Sequence, residues 1–483
     1  MISLNNKYKG LSIILILLVL TFIGYNALKK DDLKEATWEK PEEILAITIN
    51  GEEATSFPTT AAYEASVTCT SGTGTASWNG SKWVFNASSI SKNKSRCNIN
   101  FIPRTLRSYI LGDNNANVGT VKTTPGASNN STSEAVLAST QDDYGTSYYF
   151  RGTVTNNFVV YANMCWRVVR VTGDGSVRLV LYNYNGLTSD NTTPSASNPC
   201  SVTGDELAFI HDSSGTLTVR FGIYGDNAGF GLMYGNVGCS DSQYFEPSKC
   251  TRGGGTWTTS TSYANAHSNI RKSTVLQSLE SWYDDVLSKQ PGFSEKQLAD
   301  TILCNDKSVI TDSSFNPAGW TTFPSDYGVG INNNHYASVK RLVKSNTMAA
   351  GGTGPSLICP NDNLGGKLSK FTVSDTVNGN GALDKKIGLL TVDEAAFAGG
   401  IYGAYNSSYY LYQNAKEVHW LATPGIYYNP SNNHWVADNS TANGHYLYVV
   451  LNVNVHAIRP SITLDKNTAS TGSGTSSDPY IVK

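Results

Sequence analysis

Apolar and polar positions alternate most densely from Tyr148 to Tyr182. Val168, Val169 and Val171 run into Thr172-Gly173-Asp174-Gly175, and Val177, Leu179, Val180 and Leu181 follow. The pattern predicts a β-hairpin, since Asp-Gly supplies the positive φ that a tight reversal needs. It opens a long domain expected over residues 134–464. A smaller all-β module is expected at 44–103, where ILAITI meets Asn50-Gly51, YEASVTC follows, and Trp78 and Trp83 flank Asn79-Gly80. That tryptophan pair reads as core or cross-strand packing ahead of a ligand platform.

Helical spacing is scarce. Val275, Leu279, Trp282, Tyr283 and Val286 fall on one helical face, with Ser273 as N-cap and Pro291-Gly292 as the stop. Ser294-x-x-Gln297 predicts a capping box for a short second helix reaching Asp300. IGLLTVDEAAFAGG reads as a strand running into a helix. Its Asp393-Glu394 pair is read as a capping box with Thr391 and a favourable N-terminal charge, ahead of catalytic carboxylates. VHWLATPGIYY, HYLYVVLNVNV and HAIRPSITL are β-like, and Arg459 before Pro460 is expected to act as a buried or half-buried hydrogen-bonding clamp. Residues 104–133 read as linker, with two helical turns available in TLRSYIL, and residues 465–483 as a C-terminal tail. The fold class is α+β.

Leu11–Leu28 carries no charge. At about 1.5 Å per helical residue it reaches about 27 Å, just short of the ~30 Å hydrocarbon layer. Its small-x-small cleavage pattern is poor, with Tyr25 ahead of Ala27, so an uncleaved signal anchor is preferred over a signal peptide. Residues 1–10 then form a cytoplasmic tail and 29–43 a tether. All eight cysteines (69, 97, 165, 200, 239, 250, 304, 359) follow the anchor, and no C-x-x-C pair exists. Disulfides are therefore expected, with Cys69 and Cys97 stapling the small module, in a single-pass protein of the cell membrane whose bulk is extracellular. Charged residues make up 15% of the chain and the net charge is −2, without a basic stripe, so nucleic acid is not an expected partner.

The runs FRG…NNF…CWRVVRVTGDGSVRLVLY, SWYDD…LADTILCND, LICP, IGLLTVDEAAFAGG…NSSYYLY and HWLATPG…IRPSITLD…GSGTSSDPYIV, from about Tyr144 onward, carry a resemblance. Together they resemble an uncharacterised family of membrane-anchored bacterial surface proteins. Its large domain is similar to the C-type-lectin-like fold, in the branch shared with formylglycine-generating enzymes. The module with VTC…WNGSKWVF…CNINF looks like the partner that precedes it. The usual closing Gly-Val-Arg-Pro is here Ala457-Ile458-Arg459-Pro460, so the arginine and proline match and the glycine does not; Trp420 also matches. Family order implies Cys165–Cys200 and Cys304–Cys359, leaving Cys239 with Cys250.

The resemblance does not bring a site with it. The calcium-binding tripeptides of sugar-binding C-type lectins are absent in a usable context: Glu246-Pro247 is followed by Ser248 and Trp78-Asn79 by Gly80. A closely spaced cysteine pair of the kind a copper-dependent oxidase wants is missing near the C-terminal strands. His419, His434, His445 and His456 lack the i, i+4 spacing of a helical metal pair. No catalytic set, metal site or cofactor is expected. In the lectin-like fold the recognition face is built from loops after the middle strands, here around Gly425 to Tyr446. Tyr427, Tyr428, Asn432, Asn433, His434, Trp435 and Asn439 supply aromatic faces and amides suited to a glycan or a surface protein; the competing reading is an ordinary Asn-rich loop with Trp435 tucked inward. The expected function is an adhesin or receptor-like ectodomain, followed by a structural envelope component and then by a formylglycine-type oxidase.

Overall fold

The computed structural model describes residues 44–88, 96–114, 119, 121–127, 134–187, 196–222, 229–235, 238–239, 257–258, 262–312, 314–315, 333–345, 347, 349–361, 367–428, 431–439 and 446–483. The chain divides into two compact units, Met1–Pro103 and Arg104–Lys483. The expected anchor Leu11–Leu28 lies outside the described residues. Among the described residues no helix is long and apolar enough to cross a membrane. The architecture is β-rich α+β with few helices.

The described residues of the first unit form strands and turns only. Ile44–Ile49 pairs antiparallel with Glu52–Ala54 through the Asn50-Gly51 turn, whose φ values of 57° and 85° are those of a left-handed reversal. On its other edge it runs parallel to Cys97–Pro103, which pairs in turn with Tyr63–Cys69. Trp78 and Trp83 face each other across a second hairpin, edge to face at 6.1 Å, and Trp83 Nε1 donates to Thr60 O. Cys69 and Cys97 are cross-strand partners and form a disulfide. Around a small buried cluster of Ile44, Ile47, Trp83, Ile99 and Phe101 among the described residues, the chain-entropy gain of about 3 kcal/mol from that closed loop is a large share of the stability.

The second unit is built on two sheets over one core. Met164–Val171 is buried at every position and is central to an eight-stranded sheet. It pairs with Val177–Asn183 through the predicted turn, closed by Thr172 N–H to Ser176 O and Gly175 N–H to Thr172 O. Its other edge takes Phe158–Tyr161 along one half and Gly145–Gly152 at the far end. Gly152 ends its strand at φ 80°, and a Cβ there would lie 1.6 Å from Glu134 O, so no other residue fits.

The chain ends close this sheet. Ser461–Leu464 lies beside Val177–Asn183, and Tyr480–Val482 runs parallel to Phe158–Tyr161. The stretch 465–483 expected as a tail is thus part of the sheet. The expected linker likewise begins as structure: helix Leu106–Asp113, N-capped by Thr105, buries Leu106 and Ile110 completely in the core, and Leu106 N–H donates to Thr468 O. Two helical turns are marginal alone; this pair is stable because each covers the other.

Val418–Tyr428 lies inside the second, six-stranded sheet. It pairs with Ser431–Asp438, which pairs with Tyr446–Leu451, and its other side takes Val455–Ala457 and Asn334–His335. Helix Thr274–Asp285 forms where its periodicity predicts, with Ser273 Oγ accepting Leu276 N–H. Ser294 is not a second helix start. Glu295–Gln297 is a single 3-10 turn with no side-chain cap, and Gln297 Nε2 reaches Lys483 O instead. Disulfides join Cys165 to Cys200 and Cys304 to Cys359. Cys250, and with it the expected Cys239–Cys250 bridge, lies outside the described residues.

Candidate functional site

The aromatic and amide stretch that the sequence offered as a recognition loop is instead a hairpin, Val418–Tyr428 against Ser431–Asp438. Tyr427, His434 and Trp435 are fully buried and Asn439 nearly so, while Tyr428 and Asn433 are half-buried. The Asn432 side chain is outside the described set. Trp435 Nε1 donates to Ser338 Oγ at 2.9 Å, and His434 stacks on Phe221 at 3.8 Å while accepting the Gly231 N–H. These rings are core because the partner strand and the Ser338 helix cover them. His419 packs on Phe209 and His456 over Trp420, and His445 is outside the described residues. Burial pushes the imidazoles of His419 and His434 down to about 3, so both are neutral at ordinary pH.

The densest charge cluster surrounds the helix Val392–Ala398. Its capping box forms as the sequence indicates, with Thr391 and Glu394 exchanging side-chain and backbone hydrogen bonds. Glu394 Oε1 lies 3.1 Å from Arg170 Nε and 3.5 Å from Arg178 Nε, and Arg170 Nη1 also holds Asp142 at 2.6 Å. Arg341 grips both oxygens of Asp393 at 2.7 Å and Asp306 at 2.9 Å. Arg151 pairs with Glu134 and caps the helix C-terminus at Ala396 O and Phe397 O. Burial alone would raise the Glu394 carboxyl; Arg178 and Arg170 outweigh it and hold it below the usual range. The free space among these groups is about 20 Å³, room for a water and not for a ligand. The Asp393-Glu394 pair is a brace.

An open groove of about 590 Å³ lies elsewhere on the same unit. One wall follows the Gly152 strand, with Val154, exposed Thr155 and the Phe158 ring, which meets Tyr182 edge-on at 5.0 Å. A second wall is Cys200–Asp205, fastened by Cys165–Cys200 and by Asn198, whose Oδ1 accepts Cys200 N–H. The third is Tyr412–Lys416. Asn414, buried at φ 56°, ties the last two together: its Oδ1 accepts Gly204 N–H and its Nδ2 donates to Val202 O. Asn198 Nδ2 brings in Ser476 through its carbonyl, so the groove draws on five distant segments.

Beneath the groove lies Arg167, wholly buried under the Phe158 ring at 3.8 Å. Its Nε donates to Asn157 Oδ1 and its Nη1 to Gln413 Oε1, both at 2.6 Å, and its Nη2 to Val154 O at 2.8 Å. Arg459 is the clamp expected from the sequence, donating to Leu181 O and Leu411 O, with Nη2 left without a hydrogen-bond partner. Among the described residues neither arginine makes an ion pair. Burial lowers Arg167 to about 9, with Arg459 adding to the effect, and Arg459 to about 10, so both stay charged at neutral pH. A second groove of about 630 Å³, beside Phe315, Lys340 and Gly351–Gly354, has the exposed Lys340–Asp312 pair at its edge.

Sequence reasoning singled out Arg459 and Cys200 but not Arg167, Gln413, Asn414 or Thr203. The available signal was a charged residue inside the apolar strand Met164–Val171. No family model, no curated protein and no solved structure matches this chain.

Proposed function

We propose that the protein is a membrane-anchored extracellular binding protein whose large unit, a C-type-lectin-like domain, recognises a glycan on a neighbouring surface. The observation that carries this reading is the groove between Phe158, Tyr182, Cys200–Asp205 and Tyr412–Lys416. It is open to solvent, walled by the half-buried Tyr412 ring beside the buried Phe158 and Tyr182 rings, and fringed by the hydroxyls of Thr155, Ser201, Thr203 and Ser476 and the amide of Gln413. Those are the contacts that polyhydroxylated ligands use. The recognition surface is thus moved from the Gly425–Tyr446 stretch, whose Tyr427, His434 and Trp435 rings are covered, to this groove. The lectin-like assignment is supported by the long loops and few helices between the opening and closing strands of the first sheet. The bridged sulfurs of Cys69, Cys97, Cys165, Cys200, Cys304 and Cys359 support an extracellular setting.

The test displays the full chain in lipid nanodiscs under oxidising conditions against glycan and surface-protein panels. Thr203→Trp, at an exposed position of the wall, serves as the blocked control. Binding that Thr203→Trp abolishes without moving the melting temperature is the expected result. Equal binding to wild type and Thr203→Trp would place recognition outside this groove, and binding to neither would favour a purely structural envelope component.

A further inference from the structure

Arg167 beneath the groove, and Arg459 behind it, lack what every other well-buried arginine among the described residues of this unit has. Arg151, Arg170, Arg178 and Arg341 each face a buried carboxylate. Arg167 donates hydrogen bonds only to amide and carbonyl oxygens and Arg459 only to carbonyls, and the other groups that face them are neutral tyrosines, Tyr182 and Tyr410 for both and Tyr409 for Arg459. A buried cation held by neutral dipoles has paid a desolvation cost that a carboxylate would offset, and unpaired buried charge clusters at functional sites. Arg167 is covered on the groove side by lining residues, the Phe158 ring at 3.8 Å, Val154 and the exposed Gln413, whose Oε1 sits at hydrogen-bond distance from Nη1. An amide oxygen there marks where a carboxylate oxygen would bind in place of the exposed Gln413 side chain.

We infer that the groove takes a carboxylate-bearing sugar, its carboxylate replacing Gln413 Oε1 over Arg167 and its hydroxyls meeting Thr155, Thr203 and Ser476. This rests on the glycan-binding reading above and narrows it to acidic sugars. The acids near the groove do not cancel the attraction. Asp205 is exposed and held by Lys416 at 2.7 Å, and Glu206 and Glu417 stand beside it in exposed or half-buried positions. Water screens those charges, whereas the guanidinium groups act through the low-dielectric interior. A carboxylate is preferred to a phosphate because the opening at Gln413 presents one Nη1 position and the surrounding lining is hydroxyl and amide, the complement of a sugar ring.

The decisive experiment measures binding of trigalacturonate, of its methyl ester and of inorganic phosphate to the full chain by calorimetry, in wild type and in Gln413→Glu. Wild type is expected to bind the acid at least about tenfold more tightly than the ester, an advantage that shrinks with salt, and to ignore phosphate. Gln413→Glu supplies Arg167 with an internal carboxylate; it is expected to lose the acid's advantage while melting about 2 °C higher. Ester bound as tightly as acid, phosphate bound as tightly as acid, or an acid advantage that survives Gln413→Glu overturns the inference and leaves glycan binding standing. A wild type that binds no sugar on the panels or here overturns both.

Discussion

The large unit buries two groups of arginines and treats them in opposite ways. Around the helix Val392–Ala398, Arg170, Arg178 and Arg341 meet Asp142, Glu394, Asp393 and Asp306, and the packing leaves no room for a ligand. Under the groove, Arg167 and Arg459 are as deeply buried and have no carboxylate among the described residues. The first group joins segments far apart in sequence into one brace, at the cost of desolvating both signs of charge. The second keeps its positive charge, and Arg167 in it lies against the lining of an opening. Burial alone therefore does not mark a functional arginine; the identity of its partners does.

The same exchange in each group breaks the comparison if it is wrong. Arg341→Met leaves Asp393 and Asp306 buried without their cation and should cost about 3–5 kcal/mol by denaturant unfolding. A loss below about 1 kcal/mol would mean that water or another cation already serves those carboxylates, and the brace would be no brace.

Acid separates the groups next, since protons reach carboxylates and imidazoles and leave guanidinium groups unchanged. His419 and His434 are neutral when folded, titrating at about 3, and take protons near ~6.5 when unfolded. The unfolded state thus binds more protons below ~6.5, so stability is full above that pH and falls on acidification, by about 2–3 kcal/mol per pH unit for the pair. Glu394 acts lower: its depressed folded pKa contributes stability above the unfolded ~4.3 that is lost as pH falls through the folded value. Urea midpoints from pH 7 to 4 should show the histidine slope, to which His335 and His456, lowered by burial to about 4, add, and His434→Asn should flatten it by about a quarter. A flat profile to pH 5 would show that both rings reach water.

Much of the scaffold was legible because its causes are local. The Thr172–Ser176 turn, the Ser273 cap and the Thr391–Glu394 box each depend on residues within a few positions of one another. The docking of Leu106–Asp113 on Thr468, and the entry of Tyr480–Val482 into the sheet, depend on partners hundreds of residues away, and their polar flanks read as linker and tail. Trp435 and Tyr427 misled for a chemical reason: aromatic rings among asparagines suit an exposed binding loop and a buried hairpin equally, and only the covering strand decides. The groove left almost no trace, since Phe158, Thr203 and Gln413 come from separate segments. Cys200 was the exception, because the bridge to Cys165 forms one of its walls.

Arg167→Met is the counterpart of Arg341→Met and strands no carboxylate. It releases Asn157 Oδ1 and Val154 O and the contact with Phe158, while methionine fills most of the space. The expected cost is about 1–2 kcal/mol by the same unfolding assay, well under that of Arg341→Met. Equal costs would erase the distinction between the groups and point to a carboxylate reaching Arg167 in solution.

Gln413→Ala is expected to have the smallest effect and reads the groove directly. The side chain is exposed, and its Oε1 is the only cover on Arg167 Nη1 among the bonds this guanidinium makes on the groove side. In dilute buffer its removal exchanges one charge-assisted hydrogen bond for water and should cost less than about 1 kcal/mol. Added small carboxylates should then matter: acetate at a concentration that leaves wild type unmoved should raise the melting temperature of Gln413→Ala, because it binds the folded state at the uncovered guanidinium. Chloride at matched ionic strength controls for screening. Identical responses of wild type and Gln413→Ala to acetate would show that the charge under the groove is not accessible from it, and the two arginine groups would then differ in partners but not in purpose.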